Sequence, residues 1–159
     1  MTIRVGIGYD SHRFAAGRPL VLGGIRIPHA SGLKGHSDAD AVAHALTDAI
    51  LGAANAGNIG QLFPDSDPQW KDADSMELLR TAHELVRGRG HAVVQADVTV
   101  ITESPKLAPH LAAMSAALAA RLGLAAAAIS VKAKTNEGMG FIGRGEGLAV
   151  IAVATLEAR

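Results

Sequence analysis

Leu148-Ala149-Val150-Ile151-Ala152-Val153-Ala154-Thr155-Leu156 is the run that decides how this chain folds. Its apolar residues fall on both faces of the strand they form, so neither face can be left to water. A strand of that type is buried on both sides, under helices or against another subunit.

Upstream, Ile129, Val131 and Ala133 alternate with Ser130, Lys132 and Lys134 in a second strand. Pro109 to Leu122 is Ala-rich and reads as a helix. Val93 to Ile101 alternates again, with Ala96, Val98 and Val100 on one face, and Pro105 ends that stretch. Asp74 caps a helix carrying Leu78, Leu79, Ala82, Leu85 and Val86 at helical spacing. Residues 58–72 hold two prolines and three acids and read as an exposed loop of the kind used for lids. Ser37, with Asp40 three residues on, is the expected N-cap of a helix bearing Val42, Leu46, Ala49 and Ala53 and fading by Gly57. Gly23-Gly24 between two apolar runs signals a tight hairpin. Val5 to Tyr9 reads as a short strand ending in Asp10-Ser11-His12. Strands and helices interleave throughout. The class is therefore α/β (α+β): one domain over residues 1–159, with one mixed sheet covered by helices.

Hydrophobic residues make up 48% of the 159 and aromatics only 3%, so the core is aliphatic. Fifteen basic and fifteen acidic residues cancel, leaving no field to attract nucleic acid or an anionic membrane. An anionic ligand must be held by a local constellation. Without cysteine, disulfides and thiolate metal sites are excluded. No signal-peptide pattern follows Met1, and the longest apolar run is too short to span a bilayer, so a soluble cytoplasmic chain is expected.

Asp10 and His12 alternate on a strand and project from the same face, offering a carboxylate oxygen and an imidazole nitrogen to one cation. At 3.6 residues per turn, Asp40, His44 and Asp48 share a stripe within an arc of roughly 80°, opposite the apolar side of their helix. Two histidines and one aspartate with an open position suit a catalytic Zn²⁺. A solvated helix face beside a strand-end turn gives the same spacing, so spacing alone leaves both readings open. His36-Ser37 just before a helix is a candidate anion site, because first-turn N–H groups lack partners. Lys134, Thr135 and Glu137 supply a cation, a hydroxyl and a carboxylate before a Gly-rich turn, which suits phosphate and phosphate-bound Mg²⁺. Arg144 and Glu146, flanked by glycines, read as a structural ion pair, buried or at an interface. His29, His83, His91 and His110 show no partner and are assigned to the surface or to helices.

Taken together, Gly8-Tyr9-Asp10-Ser11-His12, Leu22-Gly23-Gly24, Gly35-His36-Ser37-Asp38-Ala39-Asp40, His44-Ala45-Leu46-Thr47-Asp48-Ala49, Leu62-Phe63-Pro64-Asp65, Val131-Lys132-Ala133 and Gly143-Arg144-Gly145-Glu146-Gly147 resemble, in order and spacing, the 2-C-methyl-D-erythritol 2,4-cyclodiphosphate synthase family. The resemblance covers nearly the whole chain. It implies a homotrimer with active sites between subunits, acting in the non-mevalonate isoprenoid pathway. The implied reaction converts 4-diphosphocytidyl-2-C-methyl-D-erythritol 2-phosphate to the cyclic diphosphate and CMP. Asp10, His12 and His44 would hold Zn²⁺ or another divalent ion, and Glu137 a Mg²⁺ or Mn²⁺ on the diphosphate. His36 and Thr135 would act on the phosphates from opposite sides. Ser37, with Asn58, Ile59, Gly60, Phe63, Asp65 and Asp67, would close over the methylerythritol phosphate. Thr102, Pro105, Lys106, Leu107, Ala108 and Lys134 would form the cytidine pocket, with Phe141 and Arg144 near the substrate and the trimer axis. One departure is Asn58, where the family usually has Asp. A metal-dependent phosphodiesterase using the same ligands, and a non-catalytic trimer binding nucleotides or isoprenoid diphosphates, are the competing readings.

Overall fold

Gly6 and Gly8 set the arrangement of the fold. They lie on the inner face of strand β1 (Thr2–Ala16), directly beneath helix α1 (Ala41–Ala53). A Cβ on Gly8 would strike the Ala45 carbonyl, and one on Gly6 the Ala49 carbonyl. Helix and strand therefore touch backbone to backbone, a distance that only glycine permits. The computed structural model describes residues 1–158; Arg159, the last residue of the expected domain, lies outside them.

β1 pairs antiparallel with β4 (Ser31–Leu33) on one side and with β7 (Gly147–Ala158) on the other. β7 in turn pairs antiparallel with β5 (His91–Ile101), and β5 pairs parallel with β6 (Ile129–Lys134). The order β4-β1-β7-β5-β6 makes one mixed sheet within a single α/β domain. The Gly-Gly hairpin forms as expected between β2 (Leu20–Leu22) and β3 (Ile25–Ile27), as a separate two-stranded sheet. Gly23 and Gly24 take φ values of +59° and +74° in its turn, the conformation that a two-residue hairpin needs.

Helices α1, α3 (Ser75–Gly88) and α4 (Leu111–Leu122) cover one face of the sheet. Leu148, Val150, Ala152, Ala154 and Leu156 of β7 are fully buried beneath them, together with Val98 and Val100. Each large aliphatic side chain removed from water contributes about 1.5–3 kcal/mol. The opposite face is bare. Ile3, Val5, Ile7 and Tyr9 are 53%, 64%, 70% and 56% exposed, and Ile151 joins them across the β1–β7 register. The expectation that β7 is covered on both sides thus holds for one face within a single chain.

Other elements correct the sequence reading. β1 runs to Ala16, so Asp10 and His12 lie inside the strand rather than at its end, because β4 and β7 extend the pairing. The cap of α1 is Asp40, not Ser37: its carboxylate accepts from Ala43 N and also from Gly23 N and Gly24 N. The segment 58–72 is not a bare loop. It contains α2 (Ile59–Leu62) and a 3₁₀ turn at Pro68–Trp70, and buried Phe63 meets Trp70 edge-on at 5.0 Å between ring centres. His83 lies in α3, one of the two settings expected for it, and is buried there, whereas His91 stands half-buried in strand β5. Arg144 and Glu146 do pair, at 2.8 Å, but in solvent.

Candidate metal centre and adjoining clefts

Residues of α1 are buried on almost every side; Gly52 is exposed, and within the helix His44 and Asp48 are the side chains that reach a partly open surface. No broad solvated stripe exists, so the helix has polar openings only where they face β1. There the alternation of β1 delivers Asp10 and His12 on its inner face, next in line after Gly6 and Gly8. The close approach of α1 carries His44 to them. Asp10 Oδ2 lies 2.8 Å from His12 Nε2 and 3.1 Å from His44 Nδ1, and the two nitrogens are 3.3 Å apart.

Asp10, His12 and His44 are positioned to bind a metal ion, with ligand atoms all within 4.8 Å of one another. The donor set fits such an ion. His12 Nδ1 faces the Lys34 carbonyl at 2.7 Å, and a carbonyl only accepts, so the neutral ring carries its proton there and Nε2 is the nitrogen on which an ion would replace the proton shared with Asp10. Two imidazole nitrogens and one carboxylate oxygen leave a fourth position open, as in catalytic divalent sites. The local charges respond to one another. Burial raises the Asp10 carboxyl, but hydrogen bonds and charge from His12 and His44 outweigh it and hold it below its ordinary value. Burial lowers His12, and Asp10 outweighs that in turn, leaving the imidazole above its ordinary value. Asp48 is pushed up by burial and by the Asp10 carboxylate; its Oδ1 accepts from Ile59 N at 2.7 Å.

The triad forms the wall of a cleft of about 340 Å³. His36, Ser37, Ile59, Gly60, Phe63 and Asp65 line it too, with Gly35, Pro64, Trp70 and Leu78, none of which was expected as a site residue. His36 Nε2 sits 3.4 Å from the Asp67 carbonyl. Asp67 itself caps the 3₁₀ turn, accepting from Gln69 N at 3.0 Å. Asn58 is occupied as the cap of α2: Oδ1 accepts from Gln61 N, and Asn58 N donates to Gln61 Oε1. An Asp there would cap equally well. The anion site expected at His36-Ser37 does not form on the helix end, because α1 starts at Ala41 and Asp40 fills its first turn.

Thr102, Pro105, Lys106, Leu107, Ala108, Lys134 and Thr135 line a second cleft, together with Glu103 and Ala133. None of these residues lines the metal cleft. Glu103 organises the adjoining turn, since its Oε1 accepts from Asn136 N at 2.9 Å and from Gly138 N at 3.1 Å. Glu137 lies exposed on that turn, with φ +54°. Phe141 lines a shallow recess with Ser11, His12, Arg13, Glu146 and Gly147, and Arg144 stands beside it paired to Glu146. His12 thus borders both the metal cleft and this recess.

The YgbB family matches residues 3–157. A 2-C-methyl-D-erythritol 2,4-cyclodiphosphate synthase of Bordetella petrii is 55% identical over 153 residues, which cover 96% of this chain and 94% of the relative. Among solved structures, the bifunctional IspDF of Campylobacter jejuni superposes with a TM-score of 0.96 at 47% identity, covering 99% of this chain and 43% of that one. A 2C-methyl-D-erythritol-2,4-cyclodiphosphate synthase in a CDP-bound form superposes with a TM-score of 0.89 at 42% identity, covering 97% of this chain and 100% of that one.

Proposed function

The chain belongs to the YgbB family, and we propose that it converts 4-diphosphocytidyl-2-C-methyl-D-erythritol 2-phosphate to 2-C-methyl-D-erythritol 2,4-cyclodiphosphate with release of CMP, a step in making isoprenoid precursors by the non-mevalonate route. The observation that carries this reading is the convergence of Asp10, His12 and His44 in the wall of a cleft that has room for a phosphorylated polyol. In the reaction a 2-phosphate oxygen attacks the β-phosphorus, a new P–O bond forms, and the bond to the CMP phosphate breaks as CMP leaves. Both reacting groups are anionic, so catalysis consists of neutralising charge and holding them in line.

A divalent ion on the triad, zinc in this reading, supplies Lewis-acid neutralisation of phosphate charge when bound. Glu137 would hold a second one, Mg²⁺ or Mn²⁺, since a single carboxylate plus substrate phosphates is a common magnesium environment. His36, braced at the Asp67 carbonyl, faces the phosphates from the metal cleft. The Thr135 hydroxyl accepts from Glu137 N at 3.3 Å, which leaves its proton to donate to a phosphate oxygen. Ser37, Ile59, Gly60, Phe63 and Asp65 enclose the methylerythritol phosphate and exclude the water that would divert the reaction to hydrolysis. Asn58 and Asp67 support that wall through their caps.

The second cleft, Thr102 to Ala108 with Lys134, takes the cytidine; the CDP-bound relative supports a nucleotide of that class. A homotrimer supplies the geometry, with the metal cleft of one copy facing the nucleotide cleft of the next, and with Phe141 and Arg144 close to the axis. Two observations support that assembly: the two clefts share no lining residue within one chain, and the outer sheet face is apolar and bare.

The test is direct. Purified protein given the cytidyl substrate should release CMP and the cyclic diphosphate, and a chelator should stop both. CMP release accompanied by an opened phosphate instead of the ring would make the chain a phosphodiesterase.

A further inference from the structure

Ser75 opens α3, yet it is not that helix's cap. Asp74 is, accepting from Met76 N at 2.9 Å. Ser75 is nevertheless fully buried, and its hydroxyl oxygen lies 2.8 Å from His44 Nε2, the ring nitrogen turned away from the triad. The Ser75 hydroxyl donates to Asp38 Oδ1, and Ser75 N donates to Asp38 Oδ2 at 3.2 Å. Asp38 is itself fixed: Asp40 N donates to its Oδ1 at 3.1 Å, and Asp38 N donates to the Ala73 carbonyl. Ser37 Oγ, 3.1 Å from the same His44 nitrogen, also contacts Ser75 Oγ at 3.3 Å.

A count of protons decides the direction of this chain. A carboxylate only accepts, so the single Ser75 proton is committed to Asp38, and Ser75 Oγ turns lone pairs toward the imidazole. With the Ser37 hydroxyl accepting from Ala39 N at 3.2 Å and placing its own proton on Ser75 Oγ, His44 Nε2 donates to Ser75 Oγ and Nδ1 keeps its lone pair. The opposing influence is Asp10, whose carboxylate lies 3.1 Å from Nδ1 and would draw the proton there. A proton on Nδ1 would occupy the position of the metal.

We propose that Ser75 and Asp38 are positioning residues for the metal centre: together they hold His44 as the Nε2–H tautomer against the pull of Asp10, so that Nδ1 is a ready ligand. Partners of this kind tune metal affinity by about 10–100-fold elsewhere. The inference rests on the metal reading of the triad and not on any substrate.

The experiment uses two variants. Ser75→Ala removes the nearer acceptor and leaves Ser37 Oγ alone beside that nitrogen. Asp38→Asn removes no volume, but its amide N–H₂ can donate to Ser75 and free the serine proton to turn toward His44. In metal-free wild type labelled with ¹⁵N-histidine, at about pH 9 where imidazoles are neutral, long-range ¹H–¹⁵N correlation should show His44 protonated at Nε2. In both variants the proton should move toward Nδ1. Zinc competition against a chromophoric chelator should show affinity lowered by about 10-fold or more. A wild-type His44 protonated at Nδ1, or both variants binding zinc within about twofold of wild type, would overturn the relay. If Ser75→Ala does not fold, the isosteric Asp38→Asn decides between these outcomes. A wild type that binds no zinc would defeat the metal reading, and the tautomer measurement would still judge the relay.

Discussion

The two faces of β1 are made by alternate residues of one strand, and they are opposites. The inner face reads Gly6, Gly8, Asp10, His12: two residues with no side chain, then two metal ligands. The outer face reads Ile3, Val5, Ile7, Tyr9, each more than half exposed. Helix α1 covers the inner face, and the outer face is bare. Inside, the missing Cβ atoms draw α1 down until His44 meets Asp10. Outside, an apolar surface lies bare on a cysteine-free aliphatic fold, turning polar toward β5 and β6, where Asp97 pairs with Lys132, and at Ser11 and Arg13 farther along β1.

The sharpest way to break the inner face is His44→Ala. It should remove stoichiometric zinc and lower activity by roughly 10³-fold or more, the scale of a lost Lewis acid, while circular dichroism reports an intact fold. Gly8→Ala attacks the same face through packing. Its methyl has no path but into the Ala45 carbonyl, so α1 must lift, at a cost of about 3 kcal/mol. That is a drop in Tm of roughly 6–12 °C for a chain of this size, accompanied by weaker zinc binding. Unchanged melting and zinc affinity would mean that the close approach is not needed.

On the outer face, Ile7→Glu should shift the assembly to monomers in light scattering and leave the stability of each monomer within about 0.5 kcal/mol, because the side chain is already exposed there. An unaltered assembly would free this face from the proposed interface. The smallest effect concerns the anchor of α1. Asp40→Asn forfeits a buried charged acceptor for three N–H groups, costing about 2 kcal/mol near neutral pH. Burial is the chief cause that pushes Asp40 up to about 6 from an ordinary 3.8; the N–H groups of Ala43, Gly24 and Gly23 oppose it, and Asp38 adds to it. Between those values the folded chain binds a proton that the unfolded chain does not. The Asp40 contribution to stability therefore declines as pH rises through that window. The gap between wild type and Asp40→Asn, followed by denaturant melts from about pH 4 to about pH 7, should narrow; a gap that widens refutes the assignment.

Much of this was legible in the chain itself. Strand alternation put Asp10 and His12 on one side, and helical spacing put His44 on a polar stripe with Asp40 and Asp48, because both periods are set by backbone geometry alone. The hairpin, the cap at Asp74 and the apolar β7 read correctly for the same local reason. Asp40 and Asp48 shared the His44 stripe and looked alike. Only the fold separates them: one is consumed by the Gly23-Gly24 turn and the other by Ile59 N. Ser37 passed for a cap because serine has the right chemistry for one, but it stands four residues before Ala41, and a better-placed aspartate took the role. Ser75 left no local signal, since its contact with His44 spans 31 residues and depends on how α3 lies against α1. Trp70 and Leu78 were invisible as cleft residues because aromatic and aliphatic side chains at such positions look like ordinary core.

Helix α1 also acts as a ruler. His44 and Asp48 stand four residues apart, about 6 Å along a rod whose rise is fixed at 1.5 Å per residue. One end of that interval is a metal ligand, and the other grips the backbone at the Ile59-Gly60 corner. The span between the Asp10-His12-His44 triad and the Ile59-Gly60 side of the cleft is thereby calibrated by a rigid element, and neither terminus can drift without dragging the other. A guest longer or shorter by one bond would meet a gauge that does not stretch.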